Sequence, residues 1–124
     1  MNSQKFWIIT AAISGFLGVT FGAFGAHYLK SQLSPEMLEI FKTGVFYQLM
    51  HSVVILAVSF QANPVYFKSN RFFLGGILLF SFSLYLYTVT SLKFFAMITP
   101  FGGVLFLAGW ISIIILSIKR NQLS

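Results

Sequence analysis

The sequence predicts an all-α membrane protein, four transmembrane helices in an antiparallel bundle, and three observations carry that prediction. Four apolar runs, Phe6–Ala26, Gly44–Ala62, Phe72–Thr90 and Thr99–Ile118, hold 19 to 21 residues each and contain no Asp, Glu, Lys or Arg. At about 1.5 Å rise per residue, each run is about 30 Å long, the thickness of a bilayer's hydrocarbon core. The chain is 57% hydrophobic and 8% charged, about a third of the charge of a soluble domain. Folded in water, 124 residues of this composition would leave large apolar patches exposed. Finally, Lys5, Lys30, Lys42, Lys68, Arg71, Lys93, Lys119 and Arg120 all fall between or beyond the runs.

That placement turns the +6 net charge into a topology signal rather than a nucleic-acid footprint. With four spans both termini share a side. Lys5, Lys68, Arg71, Lys119 and Arg120 lie there, against Lys30, Lys42 and Lys93 opposite, where both acids, Glu36 and Glu39, also stand. The bias favours cytoplasmic termini. The absence of cysteine removes disulfides, thiolate metal sites and Cys nucleophiles.

The first run is about twice the length of a signal-peptide apolar region, so it reads as a retained helix. Ala11, Gly15, Gly18, Gly22 and Gly25 recur at steps of four and three, a stripe of small residues on one face. In lipid such a stripe permits close backbone approach. It suits another helix of the same chain, or a second copy. Ser34-Pro35-Glu36 has the form of a helix start: cap, first-turn proline, first-turn acid. That helix either continues into the second run or lies on the surface before bending at Gly44. Asn63-Pro64 ends the second run. The segment 91–98 reads as a loop, with Phe94 and Phe95 dipping into the interface. Thr99-Pro100 is a second cap-plus-proline pair, opening the fourth helix; a start nearer Phe94 would instead make Pro100 bend it. Gly102 and Gly109, seven apart, share a face suited to close packing.

Polar side chains inside a bilayer must pair, so their positions are informative. Thr43, Tyr47 and His51 recur every four residues, with Gln48 at the edge of that face; Ser81, Tyr85 and Thr88, at steps of four and three, likewise share a face of the third helix. Counted from the ends of the apolar runs, Tyr47 lies about 5 Å, Tyr85 about 8 Å and His51 about 10 Å below the boundary opposite the termini. His27 and Thr99 stand at that same end. The expectation is a polar cluster in the outer half and an almost wholly apolar inner half. The cluster, His27, Tyr47, Gln48, His51, Ser81, Tyr85 and Thr99, is either a small ligand pocket or a lock of mutually satisfied groups. As a pocket, it would add the free N–H groups of Phe101, Gly102 and Gly103 as an anion-binding end.

No run contains a carboxylate, which opposes proton-coupled cation export, although a relay through His51 keeps a transporter or channel subunit as the alternative. Haem or quinone binding would fall to His27 and His51, the minimum for bis-His haem ligation, but their depths differ by about 10 Å. Ser52 and His51 point about 100° apart on a helix, and Glu36 with Glu39 suit first-turn charges, so no reacting centre is assembled. The residues therefore predict a non-enzymatic protein without metal or cofactor, structural or binding a lipid or small ligand. Its expected partners are membrane lipids and either a second copy or another membrane protein.

The ordered strings Gly22–His27, Thr43–Gln48 with His51, Ser83–Tyr85, Thr99–Gly103 and Gly109-Trp110 resemble the YwdK and YgdD family of small four-helix inner-membrane proteins of unknown function. The resemblance spans nearly the whole chain. It implies the fold and the membrane and brings no substrate. Phe82 and Phe41 depart from a pattern that often has Gly and Trp there; at Phe82 the departure bears on close helix approach and ligand passage.

Overall fold

The computed structural model describes residues 2–61 and 63–123, with side chains as far as residue 120. It contains four long helices: α1, Ser3–Leu29; α2, Pro35–Ser59; α3, Pro64–Thr90; and α4, Lys93–Leu123. All four are long and apolar enough to cross a membrane, and no strand occurs among the described residues. The helices begin before the apolar runs do, because their caps lie in the polar flanks. Asn2 Oδ1 accepts from the Lys5 N–H at 2.7 Å. Ser34 Oγ accepts from the Met37 N–H at 3.2 Å, with Pro35 at the first helical position. Asn63 Oδ1 accepts from the Val65 N–H at 3.0 Å. The continuous form of α2 is the one adopted, with no bend at Gly44. The run expected to close at Ala62 ends at Ser59, and Ala62 itself lies outside the described residues.

The fourth helix corrects the sequence reading. Ser91 takes the left-handed conformation (φ 60°), and its N–H donates to the Tyr87 carbonyl at 2.7 Å. That stop is usually made by Gly. It reverses the chain within two residues, so α4 opens at Lys93, and the expected loop 91–98 is mostly helix. Thr99-Pro100 therefore lies inside α4. Pro100 withholds an N–H from the ladder there, and the anion-binding end expected at Phe101, Gly102 and Gly103 does not exist.

α1 packs along α2, α2 along α3 and α3 along α4. In α2 and α3, 39% of the apolar window is buried, against 17% in α1 and α4; the middle pair is the core and the outer pair faces lipid. Glycines set the approach distances. A Cβ on Gly18 would stand 2.7 Å from Leu49, on Gly22 3.0 Å from Val45, and on Gly25 3.2 Å from Phe41, whereas one on Gly15 would meet nothing within 4 Å. The stripe is thus an α1–α2 contact with Ala11, Gly18, Gly22 and Gly25 as members. Gly15 drops out because it lies about 60° around the helix from Gly18, beyond the buried arc through Ser14. On α4, a Cβ on Gly102 would fall 2.6 Å from the Leu79 carbonyl carbon, and one on Gly109 2.6 Å from Phe73. A Cβ on Gly44 would stand 2.8 Å from Tyr85, a packing role the sequence reading missed.

Two turns widen to π geometry, Phe21–Gly25 in α1 and Ile77–Ser81 in α3. Steps of four residues overshoot a 3.6-residue turn by about 40° each. The wider turn in α3 absorbs that drift and keeps Ile77, Ser81 and Tyr85 all buried.

Gly102→Ala must displace backbone, whereas Gly15→Ala only gains helix propensity. Unfolding in detergent is expected to show a loss of about 1–3 kcal/mol for the first and little change or a gain of up to about 1 kcal/mol for the second. Equal stability of the two variants would mean that α3 and α4 do not approach so closely.

Candidate functional site

The polar residues predicted to converge are buried, but they fall into two networks on different faces of α2. On the face towards α1 and α3, Gln48 is fully buried. Its Nε2 donates to the Ser14 carbonyl at 2.8 Å, and its Oε1 accepts from the Tyr85 hydroxyl at 2.7 Å. Ser52 Oγ, one turn on, is 2.6 Å from both Ser14 Oγ and the Gln48 carbonyl. Tyr85 is wedged among Phe21, Phe41 and Phe82, with ring centroids at 4.9–5.4 Å.

On the face towards α4, His51 is 1% exposed, stacked on Phe106 at 3.8 Å with the planes 9° apart. Trp110 Nε1 is 3.2 Å from His51 Nε2. Indole can only donate, so Nε2 accepts and the ring proton sits on Nδ1. That proton is given to the Tyr47 carbonyl at 2.8 Å. Tyr47 itself is half-buried against Phe80 and Phe106. Trp110 remains 42% exposed, its indole edge in lipid and its N–H turned inward.

The other predicted members stand apart. Ser81 is buried beneath Gly44, and its Oγ has no partner among the described residues. Thr99 Oγ1 meets Ser83 Oγ at 2.6 Å across the α3–α4 contact. His27 is exposed near the end of α1, so it shares no site with His51, both of whose nitrogens are engaged. Among the described residues no three of His, Cys, Asp or Glu gather as for a metal ion. Glu39 lies near the start of α2, exposed and 3.5 Å from Lys42.

The half nearer the termini is not the almost wholly apolar region that the sequence reading expected. Asn70 Nδ2 donates to Ser59 Oγ at 3.3 Å, Gln4 Nε2 to the Ser59 carbonyl at 3.0 Å, Ser69 pairs with Ser112 at 2.6 Å, and Tyr66 with Ser117 at 3.2 Å. Periodicity could not find these, since an isolated serine in a helix often bonds its own i−4 carbonyl, as Ser59 does with Ile55 at 2.6 Å.

The sequence matches the family described as "Protein of unknown function (DUF423)" over residues 21–103. It is 37% identical to the UPF0382 membrane protein YwdK of Bacillus subtilis (strain 168), covering 94% of this chain and 98% of that protein. It is 40% identical to the UPF0382 inner membrane protein YgdD of Escherichia coli (strain K12), covering 97% and 95%. A UPF0382 membrane protein of Haemophilus influenzae is 40% identical, covering 94% and 97%. No solved structure matches the chain.

Nitrogen NMR of the imidazole in detergent is expected to show His51 as the Nδ1–H tautomer, and Trp110→Phe is expected to shift its Nε2 resonance. An Nε2–H signal, or no response to the substitution, would mean that the indole does not donate to His51.

Proposed function

The chain belongs to the DUF423 family, and on that premise we propose that it is a non-catalytic multi-pass protein of the inner membrane whose central polar residues act as a lock. One observation carries this reading: both polar atoms of the Gln48 amide and both nitrogens of His51 are taken up within the chain. A ligand arriving at either group would first have to break a bond already made, with no water in the hydrocarbon to compensate. Such bonds contribute about 0.6 kcal/mol each on average in membranes, up to about 1.7. Their value lies as much in direction as in strength. Ser14, Gln48 and Tyr85 fix the rotation of α1, α2 and α3 about their axes, and His51 with Trp110 fixes α4. The protein then works through its outer surface, towards lipid and towards neighbours in the membrane. Its termini face the cytoplasm, following the excess of basic residues on their side.

Native mass spectrometry of the gently solubilised protein, wild type beside His51→Ala and Tyr85→Phe, tests the lock. Both variants are expected to keep the wild-type pattern of retained masses. Tyr85→Phe is expected to lower stability by about 1 kcal/mol. A defined bound mass that disappears in His51→Ala would make the cluster a ligand site instead. Because the chain contains no cysteine, single cysteines at Ser3 and Ser31 report topology cleanly. An impermeant thiol reagent added to intact cells is expected to label the second and spare the first; the reverse pattern would invert the protein.

A further inference from the structure

The weak α1–α3 contact leaves a cleft on the lipid face that reaches the lock only at Ser14 and Gln48, whose bonds to each other and to Tyr85 stay intact. At the terminus-bearing end a cavity of about 380 Å³ opens between Asn2, Ser3 and Phe6 of α1 and Arg71 of α3. One helical turn further into the bilayer follows a second cavity, of about 200 Å³, walled by Thr10, Ile13 and Leu17 on one side and Leu74, Leu78 and Phe82 on the other, and lined also by Ser14 and Gln48 of the lock. Arg71 is exposed, and among the described residues its guanidinium makes neither an ion pair nor a hydrogen bond. No Asp or Glu is available to it: both acids of the chain stand at the opposite end, and the terminus-bearing end carries Lys5, Lys68, Arg71, Lys119 and Arg120.

We propose that this cleft is a site for one anionic phospholipid of the terminus-side leaflet, its phosphate on Arg71 and one acyl chain lying between α1 and α3 as far as Phe82. Charge complementarity selects the head group, since a single unpaired guanidinium at the cleft mouth suits a phosphate in fork geometry. Length selects the tail. From Arg71 to Phe82 is eleven residues, about 16 Å along the helix, half of a hydrocarbon core of about 30 Å. That is the depth one leaflet's chain occupies. Phe82 marks that depth, since it walls both this cavity and the next one, which begins at Phe21. Phosphatidylglycerol would satisfy both demands. Phosphatidylcholine carries the same phosphate but with a cationic group beside it, facing Arg71 and its basic neighbours.

The test is native mass spectrometry of delipidated protein offered dipalmitoylphosphatidylglycerol or dipalmitoylphosphatidylcholine in detergent. One retained phosphatidylglycerol and no retained phosphatidylcholine are expected for the wild type. Arg71→Gln is expected to lower occupancy about fivefold, the worth of one cation at an anionic surface, while Lys119→Gln, at the same end but outside the cleft, leaves it unchanged. Leu78→Trp, which fills the apolar part, is expected to abolish retention and decides the matter should Arg71→Gln fail to fold. Free glycerol phosphate is expected not to compete. The proposal is overturned by equal losses in Arg71→Gln and Lys119→Gln, by equal retention of the two lipids, by retention in Leu78→Trp, by displacement with glycerol phosphate, or by a lipid-free dimer. None of these outcomes bears on the His51 network, and the Gln48 bonds, which border the cleft, are tested separately by Tyr85→Phe.

Discussion

A hydrogen-bonding group in hydrocarbon has no water to turn to, and the rest of this structure depends on that constraint. It makes the backbone helical throughout the span, and it drives most side chains that interrupt the apolar runs to bond their own helix or a neighbour, Ser81 Oγ and Asn70 Oδ1 being without a partner among the described residues. Gln48 reaches α1 and α3 at once, and His51 is held between α2 and α4. Ser59, Asn70 and Gln4 join three helices nearer the termini. Hydrophobic burial, the dominant organiser of water-soluble folds, has little to discriminate here, since lipid is as apolar as leucine. Shape and polar pairing divide the work that burial would otherwise do.

The division can be followed along the molecule. Where α1 meets α2 and α4 meets α3, glycines bring the backbones together and side chains from the partner fill the space, Leu49 over Gly18 and Phe73 over Gly109. Those contacts set distance. Rotation and axial register are set by the polar pairs and by aromatic packing such as His51 on Phe106. The two devices meet at Gly44, whose missing side chain admits the ring of Tyr85, so that the hydroxyl can reach Gln48 on the same helix.

Most of the fold was legible because bilayer thickness leaves one reading for four uncharged runs of this length. The Ser34-Pro35 start was legible because the cap chemistry is local. Thr99-Pro100 has the same local form and misled, since the true start was decided eight residues earlier by Ser91 adopting a conformation that sequence rarely assigns to serine. Residue types in the central cluster were legible, but their grouping was not. Gln48 and His51 are three residues apart, about 60° around α2, and each is answered by a different helix. Only the packing of all four helices separates those answers. Trp110 escaped notice as a partner because tryptophan in a membrane protein is expected at the interface, whereas this one lies deep, beside a histidine.

The connection between α3 and α4 has a further consequence for biogenesis. From Thr90 to Lys93 are three Cα steps, at most about 11 Å, roughly the separation of two packed helices. α3 therefore cannot sit in the bilayer without α4 directly beside it, and the polar side chains they share, Ser83 with Thr99 and Ser69 with Ser112, meet as soon as both are inserted. The two helices are then expected to enter the lipid together, as a hairpin. Those two pairs are already matched within it, and the α1–α2 hairpin offers Gln48 and His51 as the groups through which the two halves are joined.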